Sequence, residues 1–250
     1  MKRIILSGCN GKMGQMVAAC VKDRSDCTIV AGIDITGNNS RNAFPVFTKP
    51  AECEVDADVI IDFSHPSTLA PLLAYAVERH IPAVIATTGL SSDQIEQIQQ
   101  TSKQVPLFFT ANMSLGINLL AELAKKAAEV LGGQFDIEII EKHHNQKIDA
   151  PSGTALMLAD AVSEVLPETP QYIYDRHAVR KKRSSNEIGL HAVRGGTIVG
   201  EHEIIFAGRD EVLTLSHSAA SKEVFAVGSI NAALFLCDQP NGLYNMGHII

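Results

Sequence analysis

The chain has 250 residues, 46% of them hydrophobic and 20% charged, which is ordinary for a soluble globular protein able to bury a sizeable core. A net charge of -7 speaks against general nucleic-acid affinity, and no apolar run approaches the roughly 20 residues of a membrane span. The five cysteines (Cys9, Cys20, Cys27, Cys53, Cys237) are odd in number and unpaired in spacing, as expected of reduced thiols in a cytoplasmic protein rather than of a disulfide framework or zinc ribbon.

The first 110 or so residues alternate short apolar runs with amphipathic ones. Strands are expected at 3–7, 28–33, 58–63, 83–87 and 107–110, and helices at 13–22, 67–78 and 91–102. Such alternation predicts a parallel sheet with right-handed crossovers. The short apolar run after Met1-Lys2-Arg3 breaks at Ser7-Gly8, too early for a secretory signal.

Directly after the first strand stands Gly8-Cys9-Asn10-Gly11-Lys12-Met13-Gly14, a G-x-x-G-x-x-G variant of the dinucleotide fingerprint. Glycines are needed where the chain turns tightly and where backbone approaches a pyrophosphate, and the following helix start supplies N–H donors. Asp34 lies 20 residues past Gly14 at the end of the second strand, where a carboxylate would take ribose hydroxyls. It should repel a 2′-phosphate, and the next residue, Ile35, offers no cation, so NADH is the expected cofactor; Lys12 or Arg41 leaves NADPH open. Two loops, Ala86-Thr87-Thr88-Gly89 and Thr110-Ala111-Asn112-Met113, fall at the carboxyl ends of later strands, where ligands of open sheets bind, although plain turn chemistry explains them equally well.

Past Asn112 the pattern changes. One long amphipathic helix is expected at 117–131, with Leu120, Leu123, Ala124, Ala127 and Leu131 on one face and Gly132-Gly133 as its stop. Strands follow at 135–141, 197–207 and 211–218, the last two antiparallel, with a helix at 155–166. The second region is therefore a separate α+β domain with a mixed or antiparallel sheet. Within 169–186, the tetrad Arg180-Lys181-Lys182-Arg183 is expected in a solvated loop, with one arginine able to reach a ligand.

The densest chemistry lies in 141–154, Glu-Lys-His-His-Asn-Gln-Lys-Ile-Asp-Ala-Pro-Ser-Gly-Thr. His143 and His144 are adjacent on a strand end and point to opposite sides, so one meets the reacting atom and the other holds or orients. Lys147 can give a proton or pair with an anion. Gly153 and Thr154 open a helix whose N–H groups suit a carboxylate, and Ser152 is a natural N-cap. A metal would need a third ligand, and no HExxH or HxH spacing supplies one, so none is expected. Together these residues suit hydride transfer to an unsaturated carboxylate, with His143 and Lys147 managing protons.

These motifs resemble the dihydrodipicolinate reductase (4-hydroxy-tetrahydrodipicolinate reductase) family over essentially the whole chain. The likeness rests on the glycine turn, Ile61-Asp62-Phe63-Ser64, Thr87-Thr88-Gly89, Ala111-Asn112-Met113-Ser114, the 141–155 stretch and the run from Val193-Arg194 to Glu201-His202. It implies a Rossmann-type nucleotide domain (1–114 and 225–250) and a substrate domain (115–224) that assembles a homotetramer. It implies that the cyclic 4-hydroxy-tetrahydrodipicolinate, a small dicarboxylate, is reduced by NAD(P)H to tetrahydrodipicolinate with loss of water, in diaminopimelate and lysine biosynthesis. His143 would be the acid/base, Lys147 the proton donor, and His144, Gly153 and Thr154 the carboxylate contacts. Gly8, Cys9, Asn10, Gly11, Lys12, Met13, Asp34, Ala86, Thr87, Thr88, Thr110, Ala111, Asn112 and Met113 would contact the cofactor. Two positions depart from the family's habit: Ala86 stands where glycine is usual, and Ile35 where members that accept NADPH often carry arginine. The competing expectation is a non-catalytic nucleotide-binding regulator of the same fold; an amino-acid dehydrogenase would not account for the paired histidines.

Overall fold

A computed structural model describes residues 1–250, and the chain divides into two compact units, Met1–Ser114 with Glu223–Ile250, and Leu115–Lys222. In chain order the first unit opens with β1 (Lys2–Ser7), α1 (Lys12–Lys22), β2 (Cys27–Ile33), β3 (Val46–Phe47), β4 (Val59–Asp62), α2 (Leu69–Arg79), β5 (Ala83–Ile85), α3 (Ser92–Thr101) and β6 (Leu107–Phe109). The second unit holds α4 (Leu115–Leu131), β7 (Asp136–His143), α5 (Gly153–Ser163), β8 (Gln171–Ile173), β9 (Glu187–Arg194), β10 (Gly200–Ala207) and β11 (Val212–Ala219). The chain then returns to the first unit with α6 (Glu223–Leu236) and β12 (Leu243–Tyr244).

The first unit is a seven-stranded sheet in the order β12-β6-β5-β4-β1-β2-β3, parallel throughout. The buried stretches of its central strands, Ile4–Leu6, Val59–Ile61 and Ala83–Ile85, are apolar at successive positions because both faces are covered. Ile4 and Leu6 enter one core with Val17 and Val21 of α1 and Ile230 and Ala233 of α6, while Ile5 enters another with Leu69, Leu72 and Leu73 of α2 and Ile98 of α3. The five strands and three helices read from the first 110 residues are present, 83–87 and 107–110 being trimmed to Ala83–Ile85 and Leu107–Phe109. The two-residue edge strands β3 and β12 carry no periodicity to read. Helix α6 escaped the reading for another reason: it is apolar nearly all round, so no stripe marks it.

The second unit is a mixed five-stranded sheet, β11-β10-β7-β9-β8, with β10 antiparallel to both β11 and β7 and with β7, β9 and β8 parallel. Helices α4 and α5 cover one face, their apolar sides meeting Ile137, Ile139, Ile188, Leu190, Ile204 and Phe206. The expected face of α4 needs correction. Ile117, Leu120, Ala121, Ala124 and Ala128 are the buried set, and Leu123 is 49% exposed because it lies about 120° round from that stripe. Strand β9 was not expected at all; Gly189 interrupts its apolar run. Of the basic tetrad, Arg180, Lys181 and Lys182 are exposed in a loop as expected, but Arg183 is not. Arg183 donates to the carboxylates of Asp136 and Glu138 and to the carbonyls of Ile137 and Glu187, so it clamps the sheet instead of waiting for a ligand. No helix is long and apolar enough to cross a membrane.

Candidate active site

Strand order in the first unit reverses between β1 and β4, and a cleft of about 680 Å³ opens there at the carboxyl ends of the strands. Gly8, Asn10, Gly11, Asp34, Ile35 and Phe63 line it. Gly8 adopts φ +75°, and a Cβ on it would run into the Phe63 carbonyl; a Cβ on Gly14 would meet the Gly8 carbonyl. The turn is thus built for glycine and brings bare backbone to the cleft. Helix α1 begins here with no side-chain cap and no acidic residue in its first turn, leaving a positive end suited to a phosphate.

Asp34 ties this loop down. One carboxylate oxygen accepts the Asn10 N–H at 3.0 Å; the other accepts the Thr36 N–H at 3.1 Å and its hydroxyl at 2.8 Å. Burial pushes the Asp34 carboxyl up, but these donors outweigh it and hold the group below its ordinary range. Lys49 also lines the cleft, whereas Lys12 and Arg41, the cations singled out from sequence, do not.

The other expected cofactor residues divide by exposure. The Cys9 side chain is fully buried in the core, its thiol pushed up to about 11 by burial and then by Asp34, so only its backbone can meet a ligand. Met113 is buried against Gly228 of α6, where a Cβ would strike its carbonyl. Met13 and Ala86 rest half-buried on the same core, while Lys12, Thr88 and Ala111 are exposed. The Thr87 hydroxyl donates at 2.6 Å to Asp62, a fully buried carboxyl that burial pushes up and that also accepts the Ser64 hydroxyl. Asn112 accepts the Ser114 N–H, and Thr110 donates to the Asn112 carbonyl, so both turn the chain after β6.

In the second unit, β7 ends on the buried His143, and the chain after it is pinned by the turn that follows β9: Gly195 N–H donates to the His143 carbonyl and Asn145 N–H to the Gly196 carbonyl. His144 is half-exposed. The His143 Nδ1 lies 2.6 Å from Glu141 Oε2, and Glu141, wholly buried, receives Arg194 on both oxygens and the Ser152 N–H on one. Ser152 caps α5 by accepting the Ala155 N–H, and its hydroxyl lies 3.2 Å from His202 Nε2. His202 packs edge-on to His143 with ring centroids 5.2 Å apart. Burial, and then the neighbouring His143, lower its pKa to about 4, so its ring is neutral.

Lys147 Nζ pairs with Asp149 Oδ1 at 2.9 Å, and Asp149 is held below its ordinary range by that ammonium, with the Gly153 N–H adding a weaker contribution. Gly153 is exposed with open space before it, and Thr154 is half-exposed in the first turn of α5. The arrangement brings an imidazole backed by a carboxylate, an ammonium and a helix start to one end of the sheet. Such a set can protonate a leaving group and hold carboxylates. Sequence reasoning missed Glu141, Asp149, Arg194 and His202 as parts of it. The first two stand inside the motif that was read, and their acidic spacing around His143 and Lys147 was the available signal.

The sequence matches the family models described as "Dihydrodipicolinate reductase, N-terminus" over residues 2–113 and "Dihydrodipicolinate reductase, C-terminus" over residues 116–250. A 4-hydroxy-tetrahydrodipicolinate reductase of Caldanaerobacter subterraneus subsp. tengcongensis is 54% identical over 250 residues, covering 100% of this chain and 98% of that one. Its counterpart in Clostridium tetani is 50% identical over 246 residues, covering 98% and 96%. Among solved structures, a dipicolinate-bound dihydrodipicolinate reductase from Paenisporosarcina sp. TG-14 is similar with a TM-score of 0.83 at 26% identity, covering 100% of both chains. A myo-inositol dehydrogenase from Corynebacterium glutamicum shares the fold, at a TM-score of 0.60 and 18% identity over 97% of this chain and 90% of that one.

Proposed function

The chain belongs to the dihydrodipicolinate reductase family, and on that premise we propose how its residues divide the work. The enzyme reduces 4-hydroxy-tetrahydrodipicolinate to tetrahydrodipicolinate at the expense of a nicotinamide nucleotide, with loss of water, in diaminopimelate and lysine biosynthesis. The bare glycine turn, the uncapped start of α1 and the cleft at the β1/β4 reversal fit such a nucleotide. Backbone of residues 8–13 would hold the pyrophosphate, Asp34 the ribose hydroxyls, and the loops 86–88 and 110–113 the nicotinamide half. When bound, the cofactor supplies the hydride.

The substrate's two carboxylates are received by His144, Gly153 and Thr154. His143 exchanges a proton with the ring, and Lys147 donates the proton that lets the hydroxyl leave as water. The observation that carries this reading is the convergence of His143, Lys147 and the start of α5 through the two carboxylates that tie them together, Glu141 and Asp149. A coupled assay tests it: a synthase generates the substrate and NADH loss is followed. Lys147→Ala should cut turnover while leaving NADH affinity intact; absence of substrate-dependent oxidation at micromolar wild-type enzyme would refute the reading.

NADH is the preferred cofactor in this reading, because Asp34 repels a 2′-phosphate and the adjacent Ile35 is 79% exposed with no charge to offer. The lysine at 49 leaves NADPH usable at lower efficiency. Residues 115–222 serve as the substrate-binding and tetramer-forming domain of a cytoplasmic enzyme; light scattering on purified protein tests the assembly, and a mass other than four chains would contradict it.

A further inference from the structure

Glu141 ties the site together in the scheme above but takes part in no proton step there, and its buried carboxylate gathers four donors. Oε2 accepts Arg194 Nη1 at 2.7 Å and faces His143 Nδ1 at 2.6 Å; Oε1 accepts Arg194 Nη2 at 2.6 Å and the Ser152 N–H at 3.0 Å. Arg194 is itself fixed, donating also to the carbonyls of Asp149 and Val193. Four donors on a buried carboxylate keep it ionised: burial raises the group, but Arg194, His143 and the Ser152 N–H together carry it below its ordinary range.

An ionised carboxylate can only accept, so the hydrogen between Glu141 and His143 must sit on Nδ1. The neutral imidazole is thereby set in one tautomer, with Nε2 bearing the lone pair. Around Nε2 the chain has left room: Gly200 stands beside it, and a Cβ there would come within 3.2 Å of that nitrogen. The neighbouring His202 is neutral, so it does not compete for a proton.

We propose that Glu141, clamped by Arg194, is a positioning residue for the reaction, fixing His143 as the Nδ1–H tautomer so that Nε2 is the nitrogen that exchanges protons with the substrate. Arg194 reaches Glu141 from β9, a strand 53 residues away in sequence, and holds the carboxylate against rotation. The arrangement follows the logic of an acid–base histidine whose orienting carboxylate never itself takes the proton. The inference rests on the acid/base role given to His143 above, and the test keeps the two apart.

The test combines kinetics of Glu141→Gln and Arg194→Lys with nitrogen-15 NMR of the wild-type imidazoles, His143 being assigned by loss of its signals in His143→Gln. In the wild type, Nδ1 should be protonated and Nε2 not. Glu141→Gln should lower kcat by about 10²-fold, while NADH affinity and affinity for dipicolinate, used as a binding probe, stay within about twofold. Arg194→Lys, which keeps the charge but loses the two-point grip, should fall between. Unchanged kcat in Glu141→Gln, or equal losses in kcat and dipicolinate affinity, would show a merely structural carboxylate and overturn the proposal. A wild-type Nε2–H tautomer would overturn it even if both variants failed to fold. A wild type inactive in the coupled assay would instead remove the proposed function and leave the tautomer result standing.

Discussion

Lys147 and Asp149 face each other across one turn, Nζ 2.9 Å from Oδ1, so the ammonium assigned to the reaction is already engaged before substrate arrives. The same carboxylate is stabilised by the Gly153 N–H, a group assigned to the substrate. On the proposed roles of Lys147 and Gly153, Asp149 would compete with a substrate carboxylate for the same donors.

Asp149→Asn should consequently tighten dipicolinate binding. The Asp149 side chain is 58% exposed, and an exposed ion pair is worth about 0.2–1 kcal/mol, which converts to about 1.4- to 5-fold in affinity. Titration calorimetry checks this, and weaker binding by the variant would show that Asp149 organises the site instead of competing for it.

Asp34→Ala should raise the KM for NADH by about tenfold, the cost of a hydrogen bond to a charged group, while the KM for NADPH rises less or falls. Parallel kinetics with both nucleotides decide the matter. Equal rises would mean that the carboxylate matters only as the tie between Asn10 and Thr36.

Arg183→Ala should cost about 2 kcal/mol, because it strips a mostly buried guanidinium from Asp136, Glu138 and two strand carbonyls. That corresponds to a fall of about 4–8 °C in melting temperature for a chain of this size, with kcat unaltered in the folded fraction. A variant as stable as the wild type would reduce the clamp to a crystal-like surface contact of no energetic weight.

Stability should fall on acidification through a definite window. His202 has a folded pKa of about 4 against about 6.5 in the unfolded chain, so between those values the unfolded chain takes up a proton that the folded one refuses. Folding is favoured fully above pH 6.5 and loses on the order of 3 kcal/mol by pH 4 from this group, with His217, lowered by burial, acting in the same direction. Melting curves of His202→Gln should show a flatter dependence between pH 6.5 and 4; an unaltered slope would assign the acid sensitivity elsewhere.

What could be read from sequence was what neighbouring residues encode. The glycine turn, the strand–helix alternation and the 141–154 stretch are local patterns, and their place in the fold followed from them. What could not be read depends on partners far along the chain. Arg194 meets Glu141 across 53 residues, and His202 meets Ser152 across 50, pairings that only the sheet register creates. Leu123 was placed on the wrong side of α4 because leucine and alanine contribute unequally to an apolar stripe: the alanines at 121, 124 and 128 mark the close-packed face, and the larger residue faces outward. Arg183 looked like a solvated cation because its acidic partners lie on other strands.

The late return of the chain to its first unit has a consequence for how the protein is made. When residues 1–114 have left the ribosome, the parallel sheet still lacks edge strand β12, and the face bearing Ile4, Leu6 and Phe108 still lacks the cover that Ile230, Ala233 and Leu236 provide. That apolar face is wet until residues 223–250 are synthesised, so the first unit is finished only after Leu115–Lys222, the unit whose residues are contiguous. Removing Glu223–Ile250 should therefore cost the first unit its fold while leaving Leu115–Lys222 a complete segment of chain.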